Sequence, residues 1–143
     1  MFFYLPLYMK KNKNRKSDCP INFALEIFGD KWTLLIIRDL MFKGKHYFGE
    51  FLQSEEKMAT NTLADRLASL EYSGIVTKTV DEYHKSKQVY QLTQKGVDLL
   101  PILTEIILWS ARHDSLSAAD NDFVKKAQND RESLFNDIIS HLN

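Results

Sequence analysis

A polar helix face near the middle of the chain carries side chains that can hydrogen-bond to nucleic-acid bases. In residues 59–72 the leucines recur at helical spacing, which predicts one buried apolar stripe and leaves the opposite side polar. Asn pairs with adenine and Arg with guanine, because each offers two suitably spaced hydrogen-bonding atoms. An ordinary solvated helix face is the alternative reading. The candidate DNA-contacting residues here are Thr60, Asn61, Thr62, Asp65 and Arg66.

Lysines stand at two other places from which a phosphate backbone could be reached. Lys85 and Lys87 lie in the polar segment 81–87 between two strand-like stretches, which predicts a hairpin with a basic tip. Lys43 and Lys45 precede the polar helix and are weaker candidates of the same kind. Acidic neighbours reduce the positive field at the tip, and protection of a strand edge is the alternative role for these lysines.

The cysteine of this chain could do redox chemistry. Cys19 occupies the predicted N-cap of a helix that begins at Pro20. The helix dipole, Arg15 and Lys16 favour the thiolate form, whereas Asp18 opposes it. An exposed thiolate can be oxidised or alkylated, so Cys19 is a candidate redox or electrophile sensor, and a tolerated small N-cap residue is the alternative. Because the chain has one cysteine, a disulfide would have to join two subunits or a small thiol.

Patterns that support enzymatic chemistry are missing from the sequence. The four histidines are scattered without metal-ligand spacing, and one cysteine cannot build a structural zinc site. The five glycines form no phosphate-cradling loop, and no nucleophile-elbow motif frames a serine. We therefore predict a protein that is not an enzyme, with no metal and no cofactor.

The composition is that of one folded domain in a reducing compartment. The chain has 143 residues, of which 44% are hydrophobic, and its basic and acidic side chains both number 19. A single cysteine fits the cytoplasm, and no apolar run approaches the ~18 residues that a membrane span needs. Residues 9–16 form a basic arm that is either solvated or in contact with phosphates. Residues 1–8 are apolar but precede the charges, an order opposite to that of a secretory signal.

Helical periodicity and turn residues predict the order of elements. One helix starts at Pro20, and Asp30 caps a second and largely buried helix over residues 31–42. A short extended piece leads to a brief helix over 48–53, followed by the polar helix over 59–72. The hairpin strands are Ile75–Val80 and Gln88–Leu92. A long apolar helix over 94–113, a loop over 115–122 and a last amphipathic helix over 123–142 complete the chain.

Three helices followed by a two-stranded hairpin form the winged helix-turn-helix plan. The fold class predicted is therefore mainly α with a small β-hairpin wing, carrying terminal dimerisation helices. In this plan the second helix of the helix-turn-helix enters the major groove of DNA and the wing presses on the flanking backbone. The predicted organisation is an arm over 1–18, a DNA-binding domain over 19–114, and a loop with a dimerisation helix over 115–143.

The long helix predicts a partner chain. Its residues include Leu108 and Trp109 among many other apolar side chains, and one amphipathic stripe cannot bury them all in a monomer. Together with the first and last helices, this pattern indicates an isologous homodimer. The alternative is a monomer whose last helix folds back over the apolar patch.

The chain resembles a known family, the HxlR-type winged-helix transcriptional regulators, which are similar to the MarR class. The resemblance rests on CPINFALEIFGDKWTLLIIRDL (19–40), HYFGEFLQ (46–53), NTLADRLASLEYSGIVTK (61–78) and VYQLTQKGVDLLPIL (89–103). It implies a bacterial cytoplasmic dimer that binds double-stranded operator DNA. It also implies that a cysteine at the position of Cys19 can sense quinones, aldehydes or disulfide stress. The wing, DEYHKSKQVY, and the last helix depart from the family pattern.

The function predicted from the sequence is that of a dimeric, sequence-specific DNA-binding transcriptional regulator, a repressor that competes with polymerase. Regulation through Cys19 is part of this hypothesis, and the identity of a small-molecule effector is left open. The rival hypothesis is a protein–protein interaction module built on a winged-helix scaffold without specific DNA binding. The salt dependence of DNA binding distinguishes the two, because each phosphate contact adds about 0.9 to the log–log slope.

Overall fold

The predicted winged helix-turn-helix plan, mainly helical with one hairpin, is confirmed by the computed structural model, which describes residues 15–142. The expectations for residues 1–8 and for most of the basic arm lie outside these residues. The elements, in chain order, are α1 (Pro20–Phe28), α2 (Thr33–Phe42), α3 (Phe48–Leu52), α4 (Thr60–Tyr72), β1 (Val76–Val80), β2 (Gln88–Leu92), α5 (Gln94–Val97), α6 (Leu100–His113), α7 (Asn121–Asn129) and α8 (Arg131–Ser140).

The long helix predicted over residues 94–113 is wrong as a single element, because it is divided into α5 and α6. Pro101 lies in the first turn of α6 and has no N–H to donate to the carbonyl of Val97, so a continuous helix would lose a hydrogen bond there. The side chain of Thr93 caps α5 by accepting from Gly96 N–H, as the predicted helix start requires.

The predicted last helix over 123–142 is likewise two helices. Asp130 has φ −152° and ψ 63°, which breaks the helical path, and it ends α7 while it caps α8 by accepting from Ser133 N–H. Asp120 caps α7 in the same way through Phe123 N–H. Aspartates suit such positions because their short carboxylates compete with the helix for backbone N–H groups.

The core forms where α2, α4 and α6 meet beneath the hairpin. Ile36 and Ile37 of α2 pack with Leu63, Leu67 and other buried apolar side chains in one cluster. β1 and β2 pair antiparallel, with Val76 opposite Leu92 and Val80 opposite Gln88. Gly74 connects α4 to the hairpin at φ +76°, a left-handed conformation that glycine adopts without the steric cost of a Cβ.

α7 and α8 fold back onto their own chain. Ala127 and Leu134 form a small cluster with Leu108 of α6, and Phe135 and Ile138 also pack against the main core. Phe123 meets the ring of Phe42 edge-on, with 5.8 Å between ring centroids. The C-terminal segment thus covers one side of α6 within the described chain.

Candidate nucleic-acid interface

The predicted base-contacting helix is α4, and its polar side faces solvent. Leu63, Leu67 and Leu70 are buried, as the spacing predicts. Thr60 and Asn61 are exposed in the first turn of α4. In a recognition helix, the side chains near the N-terminus are the ones that reach base edges in the major groove. The structure also places the other candidates along this helix: Asp65 is exposed, and Thr62 and Arg66 are half-buried.

Arg66 is held by two carboxylates rather than being free. Its Nε donates to Asp30 Oδ2 at 2.9 Å, and its Nη1 donates to Asp65. Asp30 lies before α2 and also accepts hydrogen bonds from the backbone N–H groups of Trp32 and Thr33. Arg66 therefore ties α4 to the beginning of α2.

These contacts fix the charge of Asp30. Partial burial alone would raise its pKa, but hydrogen bonds from Thr33, Trp32 and Arg66 outweigh burial and lower the pKa to about 2. The carboxylate is therefore ionised at neutral pH, and the Arg66–Asp30 ion pair is intact under conditions in which DNA would bind.

The wing carries the predicted basic tip. Lys85 and Lys87 are exposed, and the ammonium of Lys87 lies 5.1 Å from the ring centroid of Tyr47, a cation–π distance. Tyr83 projects from the same tip and is 84% exposed. Asp81, one of the acidic neighbours of these lysines, is 6% exposed and accepts hydrogen bonds from the N–H groups of Tyr83 and His84.

A contact that sequence reasoning missed fastens the wing to the helix-turn-helix. The phenol of Tyr47 donates to the carboxylate of Asp81, and this bond, with the two backbone donors, lowers the pKa of Asp81. Tyr47 also bridges to Val89 in β2, and Tyr90 N–H donates to the His46 carbonyl at 2.8 Å. Tyr47 and Asp81 are 34 residues apart in the sequence, and no local pattern predicts their contact.

Lys43 and Lys45, which the sequence groups together, have different surroundings. Lys45 Nζ donates to Ser54 Oγ at 2.7 Å and lies 3.5 Å from Asp39 Oδ2. Its charge is thus used inside the protein, against a carboxylate that is only 2% exposed. Lys43 is exposed; its backbone N–H donates to the Asp39 carbonyl, and no hydrogen bond or ion pair of its side chain is found within residues 15–142.

A second ion pair anchors the turn that leads into α4. Arg38 of α2 donates to both oxygens of Glu56, at 2.7 and 2.9 Å, and Glu56 lies four residues before Thr60. The hydrogen bonds from Arg38 lower the pKa of Glu56 to about 2. Arg38 also donates to its neighbour Asp39 within α2, so the turn is connected to α2 through Glu56.

Cys19 stands at the N-cap of α1, as predicted, and its thiol is half-buried. Its side chain makes no capping hydrogen bond, which leaves the sulfur without a structural role in the helix start. Arg15, one of the two cations expected to favour the thiolate, pairs with Asp18 at 3.0 Å.

Apolar side chains of α1 and α6 remain in solvent in the single chain. No residue of α1 is buried, and Ile21 and Leu25 are more than half exposed. On α6, Trp109 is 64% exposed and Ile106 is 43% exposed. Isolated surface leucines are common, but a run of this kind along two helices is typical of an interface.

Two kinds of site concern the described residues as a whole: a metal-binding cluster and a membrane-spanning helix. Within residues 15–142, no group of three or more His, Cys, Asp or Glu side chains is arranged to hold a metal ion. In the same part of the chain no helix combines the length and the apolar character needed to cross a membrane.

Comparison with known proteins gives a consistent set of relatives. A family model described as HxlR-like helix-turn-helix matches residues 27–117. The HTH-type transcriptional regulator YybR of Bacillus subtilis is 33% identical over 125 residues, covering 84% of this chain and 99% of YybR. The HTH-type regulator sll1512 of Synechocystis is 34% identical over 85 residues, which are 59% of this chain and 62% of that relative.

A solved structure provides a further comparison. The reduced form of the transcriptional regulator YodB from Bacillus subtilis superposes with a TM-score of 0.57 at 29% identity, covering 69% of this chain and 97% of YodB. Further similar structures are described as quinone-bound and diamide-treated YodB.

Proposed function

The chain belongs to the HxlR-like helix-turn-helix family, whose relatives are named transcriptional regulators, and from this premise we propose that it is a dimeric repressor that binds operator DNA. The observation that supports this most directly is the exposed first turn of α4. Thr60 and Asn61 face solvent there, while the opposite side of the helix packs against the core. A rigid helix with exposed polar side chains at its N-terminal end suits base recognition in a major groove.

In this proposal the contacts divide between base edges and phosphates. Asn61 offers a bidentate donor and acceptor pair to adenine, and Thr60 and Thr62 add hydroxyl contacts. Lys85 and Lys87 on the wing meet flanking phosphates as point charges, as does the exposed Lys43. Lys45 contributes through Asp39 and Ser54, by holding the segment between α2 and α3.

Dimerisation supplies the two recognition helices that an operator needs. We assign the interface to the exposed apolar side chains of α1 and α6, including Ile21, Leu25 and Trp109. An isologous arrangement would present two copies of α4 to half-sites about one helical turn apart, and the bound dimer would block polymerase. Such a protein works in the cytoplasm, where the chromosome lies.

The decisive test is a salt-dependent titration of DNA fragments from the gene's own upstream region. The proposal expects one fragment to bind at least 1,000-fold more tightly than random duplex, in line with specific regulators. It also expects a log–log salt slope of several units. Flat, weak and sequence-blind binding would instead favour the protein–protein interaction module. Sedimentation of the free protein measures the dimer in the same buffer.

We further propose that Cys19 makes the repressor responsive to oxidants or electrophiles. The support is its half-buried thiol at the start of α1, a helix assigned to the interface, and the similarity to YodB, for which quinone-bound and diamide-treated structures are described. A disulfide between two Cys19 residues would link the two α1 helices. Diamide supplies the oxidant: as the S–S bond forms, the two thiols lose two electrons and two protons to the N=N bond of diamide, which becomes a hydrazine.

This redox proposal is tested by comparing the wild type with Cys19→Ser. After diamide, a non-reducing gel should show a linked dimer only in the wild type, and operator affinity should change only there. Reduction with a dithiol should restore both properties. Equal affinity of the two proteins after oxidant would refute the redox proposal.

A further inference from the structure

A tyrosine at the C-terminal end of α4 is not explained by the packing of the fold. Tyr72 is 94% exposed, and within residues 15–142 its side chain makes no hydrogen bond, ion pair or ring contact. An aromatic residue also forms a helical turn less readily than alanine, glutamate or lysine does. Neither burial nor helix propensity therefore accounts for a tyrosine at this position.

Tyr72 lies on the same side of α4 as the proposed base contact. Four exposed residues follow one another at intervals of four, three and four, which is the spacing of a single helix face: Asn61, Asp65, Ala68 and Tyr72. The buried leucines of α4 occupy the opposite face. A duplex that meets Asn61 therefore also meets the line of side chains that ends at Tyr72.

The length of α4 places Tyr72 at the edge of the groove. Tyr72 follows Asn61 by eleven residues, which at about 1.5 Å per residue is roughly 16 Å along the helix axis. The major groove of B-DNA is only about 12 Å wide. A helix that enters the groove by its N-terminal turn has therefore left the base edges by Tyr72 and reached the sugar–phosphate backbone. Between the two, Ala68 has a short side chain, which allows a close approach of the helix to DNA.

Lysines from two other elements lie at this end of α4. The last carbonyls of a helix carry partial negative charge, which by itself repels a phosphate. Lys95 of α5 donates from Nζ to the Ser73 carbonyl at 2.7 Å, and Lys78 Nζ of β1 lies 4.0 Å from Glu71 Oε1. Both lysines are exposed. The negative groups on either side of Tyr72 are thus offset by cations that solvent, or a phosphate, can reach.

From these observations we propose that the C-terminal end of α4 is a further DNA-backbone site, in which the Tyr72 hydroxyl donates a hydrogen bond to a phosphate oxygen and Lys78 supplies positive charge beside it. The assignment rests on the proposed operator binding. A phosphate contact of this kind positions a protein on the duplex but carries no sequence information of its own. With Asn61 at a base and Tyr72 at a phosphate, α4 is held at both ends and its tilt in the groove is fixed.

The hydroxyl is tested by anisotropy titrations of Tyr72→Phe with operator and scrambled duplex. Binding to both duplexes should weaken about tenfold, as expected for a lost hydrogen bond to a charged group. Because the hydroxyl is neutral and releases no counterion, the salt slope should stay the same. Lys78→Gln should lower the slope by about 0.9, whereas Lys125→Gln, which changes an exposed lysine of α7, should leave it unchanged.

The phosphate is identified by a double-mutant cycle between protein and DNA. Each phosphate around an operator half-site is replaced in turn by a neutral methylphosphonate. At one position the replacement should weaken binding of the wild type about tenfold but have little effect on Tyr72→Phe, because the donor is already absent from that variant.

Hydroxyl-radical footprinting examines the same contact in the unmodified chain. Operator DNA should protect Tyr72 from oxidation, as measured by mass spectrometry of its peptide. Leu116 is the matched control, since it is 90% exposed in the loop between α6 and α7 and should be oxidised equally with and without DNA.

Three results would overturn the site: equal affinity of the wild type and Tyr72→Phe for operator, no protection of Tyr72 by operator, or a loss of affinity confined to operator, which would make Tyr72 a base contact. Because the footprint uses the unmodified chain, it decides the matter even where a variant fails to fold. A wild type that binds no duplex would refute the proposed operator binding itself, whereas a wild type that binds operator no better than Tyr72→Phe does refutes this inference alone.

Discussion

Replacing Arg66 with alanine should reduce the stability of the fold more than the base selectivity of the protein. The sequence predicts a base contact, but the guanidinium is engaged with Asp30 and Asp65. To grip guanine with two donors it must first leave at least one carboxylate. The side chains of Arg66 and Asp30 are 31% and 29% exposed, so their pair lies between the surface and buried limits. We expect Arg66→Ala to lower the free energy of unfolding by about 1 kcal/mol.

The assay combines urea unfolding with anisotropy titrations of operator and scrambled duplex. Asp30→Asn is the matched control, since asparagine also caps a helix but carries no charge for Arg66. If Arg66 positions α4, both variants should lose similar stability and should bind operator and scrambled duplex with an unchanged ratio of affinities. Asn61→Ala should instead reduce that ratio by ~1–3 kcal/mol, about 5- to 150-fold.

One result would refute this reasoning. If Arg66→Ala reduces the ratio of operator to scrambled affinity by more than fivefold while Asp30→Asn does not, the guanidinium reads a base, as the sequence alone predicts. The ion pair with Asp30 would then be a resting position that DNA displaces.

Three further outcomes follow from the described contacts. Lys85→Ala should weaken binding to operator and to random DNA alike and lower the salt slope by about 0.9. Tyr47→Phe releases the wing from the helix-turn-helix, and the double variant should have the same salt slope as Lys85→Ala alone. Truncation after Asp114 should cause aggregation or dissociation by sedimentation, because it uncovers the apolar surface beneath α7 and α8. The folded-state pKa values of Asp30 and Glu56, about 2, lie below 3.8 and 4.5, so their stabilisation is complete above pH 4.5 and is lost towards pH 2, by roughly 1 kcal/mol each in acid unfolding.

The sequence predicts local features of this fold well because they depend on neighbouring residues. The leucine spacing sets the buried side of α4, and the alternating segment ending at Leu92 sets a strand with its predicted bounds. Single residues decide where helices stop, and here the prediction was wrong twice: an apolar run concealed the break at Pro101, and a periodic pattern concealed the one at Asp130. In each case the hydrophobic period continues across a backbone interruption.

Contacts between distant residues were beyond sequence reasoning, and they decide which charged groups are free. Lys43 and Lys45 are two residues apart and alike in type, yet only the second is used by Asp39 and Ser54. The difference depends on where Ser54, which follows α3, lies relative to Asp39 of α2, and no local pattern encodes that placement. The same holds for Asp81, which lies in the hairpin segment 81–87 and accepts a hydrogen bond from the distant Tyr47.

Several of these contacts meet at one buried carboxylate, that of Asp39. A carboxylate that is 2% exposed costs several kcal/mol to desolvate unless cations and hydroxyls surround it, and Asp39 is met by Arg38, Lys45 and Ser54. A leucine at position 39 would cost less free energy to bury, but it would make no directional hydrogen bonds to neighbouring segments. The ionic cluster, continued through Arg38 and Glu56, connects the turn before α4 to α2, so substitutions that remove these charges should change how the proposed recognition helix is held.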